Sequence, residues 1–164
     1  SEGKLNFRAR TGISILAIPA GDLAAHAEGT ERPQDLMSSL TEEVAIPVVA
    51  EVGFMDFQSE YLAGLARAMR SGGTSGQRLA VSFPIALAKQ EAFDLAFRLL
   101  TTAWLERMRY KFTVGRKYVY LDPGDVVTIT TGAGLVLPVR VETMTPSGGT
   151  IEIEGTLDSP LTWE

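Results

Sequence analysis

The 164-residue chain is 45% hydrophobic and 21% charged, enough for one compact domain or two small ones with a core that needs no covalent staple. It has no cysteine, which excludes disulfides and thiolate metal sites, and its formal charge of −5 argues against a domain whose main task is gripping a nucleic-acid backbone. No apolar run approaches the ~20 residues needed to span a bilayer. Ser1-Glu2-Gly3-Lys4 lacks a basic leader and an apolar core, so it does not read as a signal peptide, and the missing initiator Met fits either processing or excision from a longer chain.

In chain order, Leu5, Phe7 and Ala9 alternate with Asn6, Arg8 and Arg10, which predicts a short strand. Thr11-Gly12 then turns into an apolar β run, Ile13 to Ile18, stopped by Pro19. Gly21-Asp22 predicts a helix cap ahead of Leu23-Ala24-Ala25. From His26 to Glu43 the text is polar and broken by Gly29 and Pro33, a loop with one helical turn at Gln34–Leu40. Ala45 to Asp56 returns to strand, with Val48, Ala50, Val52 and Phe54 on one parity. Tyr61 to Arg70 combines strong helix formers with alternation that also suits a sheet, so both states stay open on the residues alone. Ser71-Gly72-Gly73-Thr74-Ser75-Gly76 predicts a flexible tip, and Gln77 to Phe83 a strand closed by Pro84.

Leu87 to Met108 is the clearest element. Phe93, Ala96, Phe97, Leu100, Ala103 and Trp104 recur at three- and four-residue spacing, and no Gly or Pro interrupts them. About 22 residues at 1.5 Å each predict a rod of about 33 Å, whose apolar face needs a sheet or a neighbouring subunit to cover it. The period then switches to two: Tyr110, Phe112 and Val114 alternate with Arg109, Lys111 and Thr113. Tyr118 to Leu121 leads to a turn in which Pro123 fixes φ and Gly124 accepts φ > 0, as a type II turn requires. Val126 to Thr131, Leu135 to Thr143 and Thr150 to Gly155 complete a β-rich tail, with turns at Gly132-Ala133-Gly134 and Pro146-Ser147-Gly148-Gly149. The fold class expected is α+β, one long amphipathic helix packed on an antiparallel, partly barrel-like sheet. The expected division is 1–44, N-terminal strands and an irregular segment, then 45–164, with one continuous domain over 1–164 as the other arrangement.

The residues offer little chemistry. His26 is the only histidine, sits in a polar region, and has no partner at a fixed spacing, so a solvated loop residue outweighs a Ser-His-Asp triad. One histidine and no cysteine also leave a zinc site poorly supplied. Gly73-Thr74-Ser75-Gly76 fits neither the nucleophile elbow nor the phosphate loop. Asp122 and Asp125 flank the Pro-Gly turn, where Asp serves the local backbone, and Glu152 and Glu154 alternate with Ile151 and Ile153 as a wet strand face. Arg107, Arg109, Lys111, Arg116 and Lys117 interleave with Tyr110, Phe112, Tyr118 and Tyr120. That cluster reads as the charged face of a strand pair or as an interaction surface for an acidic neighbour, ahead of a nucleic-acid site. No cofactor, metal or catalytic residue is expected.

One stretch resembles a known family. It runs from Thr102-Ala103-Trp104-Leu105-Glu106-Arg107-Met108-Arg109-Tyr110-Lys111-Phe112-Thr113-Val114 to Tyr118-Val119-Tyr120-Leu121-Asp122-Pro123-Gly124-Asp125-Val126-Val127. It is similar to the phage tail protein domain of tail-tip attachment and host-specificity proteins and of the large baseplate protein of gene transfer agents. In that family a long helix with an Ala-Trp-x-Glu-Arg-like stretch enters a Tyr-x-Phe-Thr strand and then a Leu-x-Pro-Gly-Asp turn. Val52-Gly53-Phe54-Met55-Asp56 matches a strand ending near an Asp, and Tyr61 to Arg70 an extended, Arg-rich strand, which turns that segment towards β. The resemblance spans residues 45–157. It implies a structural, non-enzymatic part of a tail-tip or baseplate hub. The hub would be trimeric in the full protein, contacting other tail or baseplate proteins, with neither membrane nor nucleic acid as partner. It would reside in the virion tail after assembly in the host bacterial cytoplasm. The other reading is a cell-wall hydrolase or carbohydrate-binding module of the tail tip, which needs a cleft with paired carboxylates. A small-molecule binding domain is a third reading that no residue favours.

Overall fold

The computed structural model describes residues 13–72 and 76–159. The strand expected over Leu5–Ala9, the Thr11-Gly12 turn and the centre of the Gly-rich tip lie outside the described residues. The chain sorts into two compact units, one of Ser1–Ser39 with Met108–Glu164 and one of Leu40–Arg107. The fold is α+β. As expected, one helix packs on sheet; both sheets are open and mixed, where an antiparallel, partly barrel-like sheet was expected.

The Leu40–Arg107 unit is a three-stranded sheet under one helix. Its strands are β3 (Val49–Asp56), β4 (Leu62–Met69) and β5 (Arg78–Leu87), in the spatial order β4-β3-β5. β4 runs antiparallel to β3 across a tight hairpin, and β5 runs parallel to β3 on its other side. The sheet is therefore mixed because the chain crosses from one edge to the other before β5. At the hairpin Asp56, buried at the end of β3, accepts from the Gln58 N–H (3.0 Å) and the Ser59 hydroxyl (2.9 Å), and Lys89 lies 3.5 Å away. Burial opposes the ionised Asp56 carboxylate, but those donors outweigh it and its pKa is lowered. Glu60 and Tyr61 complete the reversal with φ of 52° and 59°. Gly64 lies opposite Phe54, and a Cβ there would meet the Phe54 ring at 2.7 Å, so the ring packs over the glycine backbone. Pro84 does not end β5. It falls where the β3–β5 register slips, on an edge strand, and both circumstances spare the ladder a missing N–H.

The helix α1 (Lys89–Leu105) has 17 residues. It is shorter than the expected rod because Leu87 is still paired with Asp56 in the sheet. The Ala88 N–H donates to the Glu91 carboxylate at 2.8 Å, half of a capping box. Ala92, Ala96, Leu100 and Trp104 are buried at four-residue intervals against Ala50, Val52, Phe54, Ala66 and Ala68. Small residues on both sides let the helix lie close to the sheet. Trp104 fastens its end by donating Nε1–H to the Pro47 carbonyl at 2.8 Å. Phe93 and Phe97 are 44% and 57% exposed, so they flank the buried stripe, which corrects their assignment to it. The sheet of its own unit thus covers the apolar face of the helix.

The other unit carries a six-stranded sheet in the order β1-β7-β8-β9-β6-β2. Its strands are β1 (Leu16–Ile18), β2 (Met37–Leu40), β6 (Met108–Gly115), β7 (Val126–Thr130), β8 (Val136–Ser147) and β9 (Thr150–Leu157). β1 is parallel to β7, and β6, β7, β8 and β9 pair antiparallel. The core holds Ile18, Tyr110, Phe112, Val114, Val127, Ile129, Val139, Val141, Ile151 and Ile153, the inward parity of β1 and β6 to β9, together with Leu23. Three local expectations change here. The helix expected after Gly21-Asp22 is a single 3-10 turn, Ala20–Asp22, after which Leu23 bridges to Val114. The helical turn expected at Gln34–Leu40 is edge strand β2, whose four exposed side chains leave backbone pairing as its main gain. Tyr118 closes a 3-10 turn, Arg116–Tyr118, and is not the start of a strand. The loop between β8 and β9 shrinks to Gly148-Gly149, both with positive φ, as a two-residue hairpin turn demands.

Candidate functional site

The Pro-Gly turn is held from three sides. Gly124 has φ of 97°, the left-handed value the second central position of a type II turn needs. Its N–H donates to the Val141 carbonyl (2.8 Å), and the Val141 N–H donates back to the Asp125 carbonyl (2.8 Å). Inside the turn the Asp122 N–H donates to the Asp125 carboxylate at 2.9 Å. From β8, Arg140 donates to the Gly124 carbonyl at 3.0 Å and forms a buried ion pair with Asp158 just past β9. The Asp158 N–H returns to the Pro138 carbonyl at 3.0 Å. The turn is therefore tied, just before β7 begins, to the middle of β8 and to the arginine of a buried charge pair. The sequence reading missed Arg140 and Asp158. The available signal was a guanidinium at Arg140 between two apolar residues, Val139 and Val141, in a strand that reads as core.

The five basic residues have different surroundings. Arg107, in the Leu40–Arg107 unit, stacks 5.0 Å from the Trp104 ring centre, with Arg70 at 4.2 Å from the same ring. Lys111 is held by Glu152 (2.7 Å) and Glu154 (3.1 Å), whose hydrogen bonds raise its pKa. Lys117 pairs with Asp22 at 2.6 Å, and the Tyr118 hydroxyl donates to the same carboxylate at 2.6 Å. These two donors lower the Asp22 pKa. Burial first, and then the Asp22 bond, push Tyr118 up to about 12. Arg109 and Lys111 do come together, in a cleft of about 220 Å³ with Ser38, Ser39, Glu142 and Glu154. Arg116 lines a second cavity of about 430 Å³ with Val119 and the β8–β9 hairpin tip.

His26 is exposed, and its ring hydrogen-bonds the Ala24 carbonyl at 3.0 Å. Among the described residues no three His, Asp or Glu side chains are placed to hold a metal ion, and no helix is long and apolar enough to cross a membrane.

The fold is similar to that of a virion chain and of a tail protein. A chain of the virion of a native gene transfer agent particle superposes with a TM-score of 0.82 at 20% identity, over 96% of this chain and 35% of that one. The tail protein of Neisseria meningitidis MC58 superposes with a TM-score of 0.50 at 14% identity, over 92% of this chain and 46% of that one. The chain thus spans between a third and a half of the length of these proteins. No curated protein sequence matches it. The family model described as "Putative phage tail protein" matches residues 1–143, reaching back over the first 44 residues that the resemblance left out. The chain belongs to this family of phage tail structural proteins.

Proposed function

We propose that the chain is a structural domain of a tail-tip or baseplate hub, joining other tail proteins at the distal end of a phage, prophage or gene-transfer-agent tail. The observation that carries this reading is the match of nearly the whole chain to one third of a gene transfer agent virion chain. On this reading the 164 residues are part of a longer virion polypeptide, trimeric around the tail axis, that also bears host-recognition parts and is assembled in the bacterial cytoplasm. Its role is non-enzymatic. The geometry supports such a role: the helix is seated on its own sheet, and the turn at Pro123-Gly124 is locked by a buried charge pair. Arg109, Lys111 and Arg116, beside clefts, are the basic side chains offered to neighbours, with Arg107 and Lys117 flanking aromatic rings.

The test is an in-frame deletion of these residues in the source genome, followed by negative-stain microscopy of the induced particles. Filled heads with tails that are absent or lack a terminal hub are expected. Normal, infective or transducing particles would contradict the proposal.

A further inference from the structure

β4 is one of the two edge strands of the three-stranded sheet, and its outer edge adjoins the sheet face opposite the helix. The carbonyls of Val48, just before β3, and of Asp56, at its end, both turn towards β4, accepting from the Arg70 and Tyr61 N–H groups at 2.9 Å. The register pairs these even-numbered β3 residues with even-numbered β4 residues. The ladder therefore uses Leu62, Gly64, Ala66 and Ala68, and the N–H and C=O of Ala63, Leu65, Arg67 and Met69 point off the sheet. Ala66 and Ala68 are buried under the helix, so the odd side chains stand on the opposite face. There Leu65 is 67% and Met69 65% exposed, beside a half-exposed Met55. Eight residues with one charge and no proline form an edge without the usual protection against pairing.

The charge on this face selects the occupant. Glu51 is the single carboxylate between Arg67 (3.5 Å) and Arg78 (4.0 Å), so the row keeps a net positive charge. A second copy of β4 laid antiparallel along the edge in the register centred on Arg67 would set that residue opposite its own counterpart, which like charges oppose. We propose that the β4 edge takes up an extended strand of another polypeptide by sheet augmentation. That strand carries an acidic residue opposite Arg67 and apolar residues two positions to either side, opposite Leu65 and Met69. This stands on the geometry of the edge and is independent of where the chain sits in a particle, so either can fail alone.

The test is amide hydrogen exchange on the 164-residue chain with a blocked peptide, Thr-Val-Thr-Glu-Thr-Val-Thr, and a control in which Lys replaces Glu. The Glu peptide is expected to slow exchange at Leu65, Arg67 and Met69 at least tenfold, leaving Ala66 and Ala68 unchanged, while the Lys peptide does so at least tenfold less effectively. Leu65→Pro, which removes an outward N–H, is expected to abolish the protection, whereas Leu65→Ala, which keeps that N–H, is expected only to weaken it. Three results would overturn the proposal: no protection by the Glu peptide, equal protection by both, or protection that grows with chain concentration alone, which would make a second copy the occupant.

Discussion

Arg140 and Asp158 are the costliest polar pair among the described residues to disturb, because both are almost fully removed from water. Replacing Asp158 with Asn leaves a buried guanidinium without its counter-charge, and a loss of about 3–5 kcal/mol is expected, read from urea unfolding. Gly155 is as constrained for a steric reason: a Cβ there would run into the Arg140 carbonyl oxygen and the Val139 side chain. The Asp22–Tyr118 pair gives a signed pH dependence. The Tyr118 pKa is raised to about 12 from the ordinary 10, so its contribution is intact below pH 10 and is lost as pH climbs towards 12. The Asp22 pKa is lowered, so its contribution is present above the ordinary carboxylate range and is lost as pH falls through the lowered value. Tyr118→Phe is expected to flatten the alkaline limb of a stability–pH curve between pH 10 and 12, and a curve identical to that of the parent chain would count against the pairing. None of these partnerships was legible in the sequence. Asp22 and Tyr118 are 96 residues apart and Arg140 and Asp158 are 18 apart, and pairing at such separations is decided by topology.

At the scale of elements, periodicity carried further. The alternation of Tyr110, Phe112 and Val114 places them in the core as read, and the left-handed Gly124 sits where the Pro-Gly turn requires it. The helix was legible as a helix but its face was not. Phe93 and Phe97 are the largest apolar side chains of its first half, yet the stripe of Ala92 and Ala96 is what the close-lying sheet accepts. Leu100→Ala is therefore expected to cost about 2–5 kcal/mol. Phe97→Ala should cost well under half of that, and thermal melts that reverse this order would refute the assignment. Strand limits were blurred where backbone pairing outweighs side-chain pattern. β2 is a run of exposed residues that reads as loop until β6 is beside it, and β5 continues through Pro84 because an edge strand tolerates it.

For the whole molecule, the motif that reads continuously from helix to strand to turn belongs to two units, divided between Arg107 and Met108. The Leu40–Arg107 unit has its own sheet, helix and apolar cluster, and expressed alone it is expected to give a helix-and-strand circular dichroism spectrum with a cooperative melt. A spectrum of unordered chain would show that its core is incomplete without the rest. Family membership was legible in the run from Trp104 to Asp125, because a helix, strand and turn in fixed succession are more specific than any one of them. The first 44 residues lacked such a run. The central claim is that this fold is a structural part of the distal end of a tail. Cryo-electron microscopy of the intact particle tests it most directly. Density for both sheets and the helix is expected in copies ringing the tail axis at its distal end. Density for this fold in the capsid or repeated along the tube, with none at the tip, would contradict it.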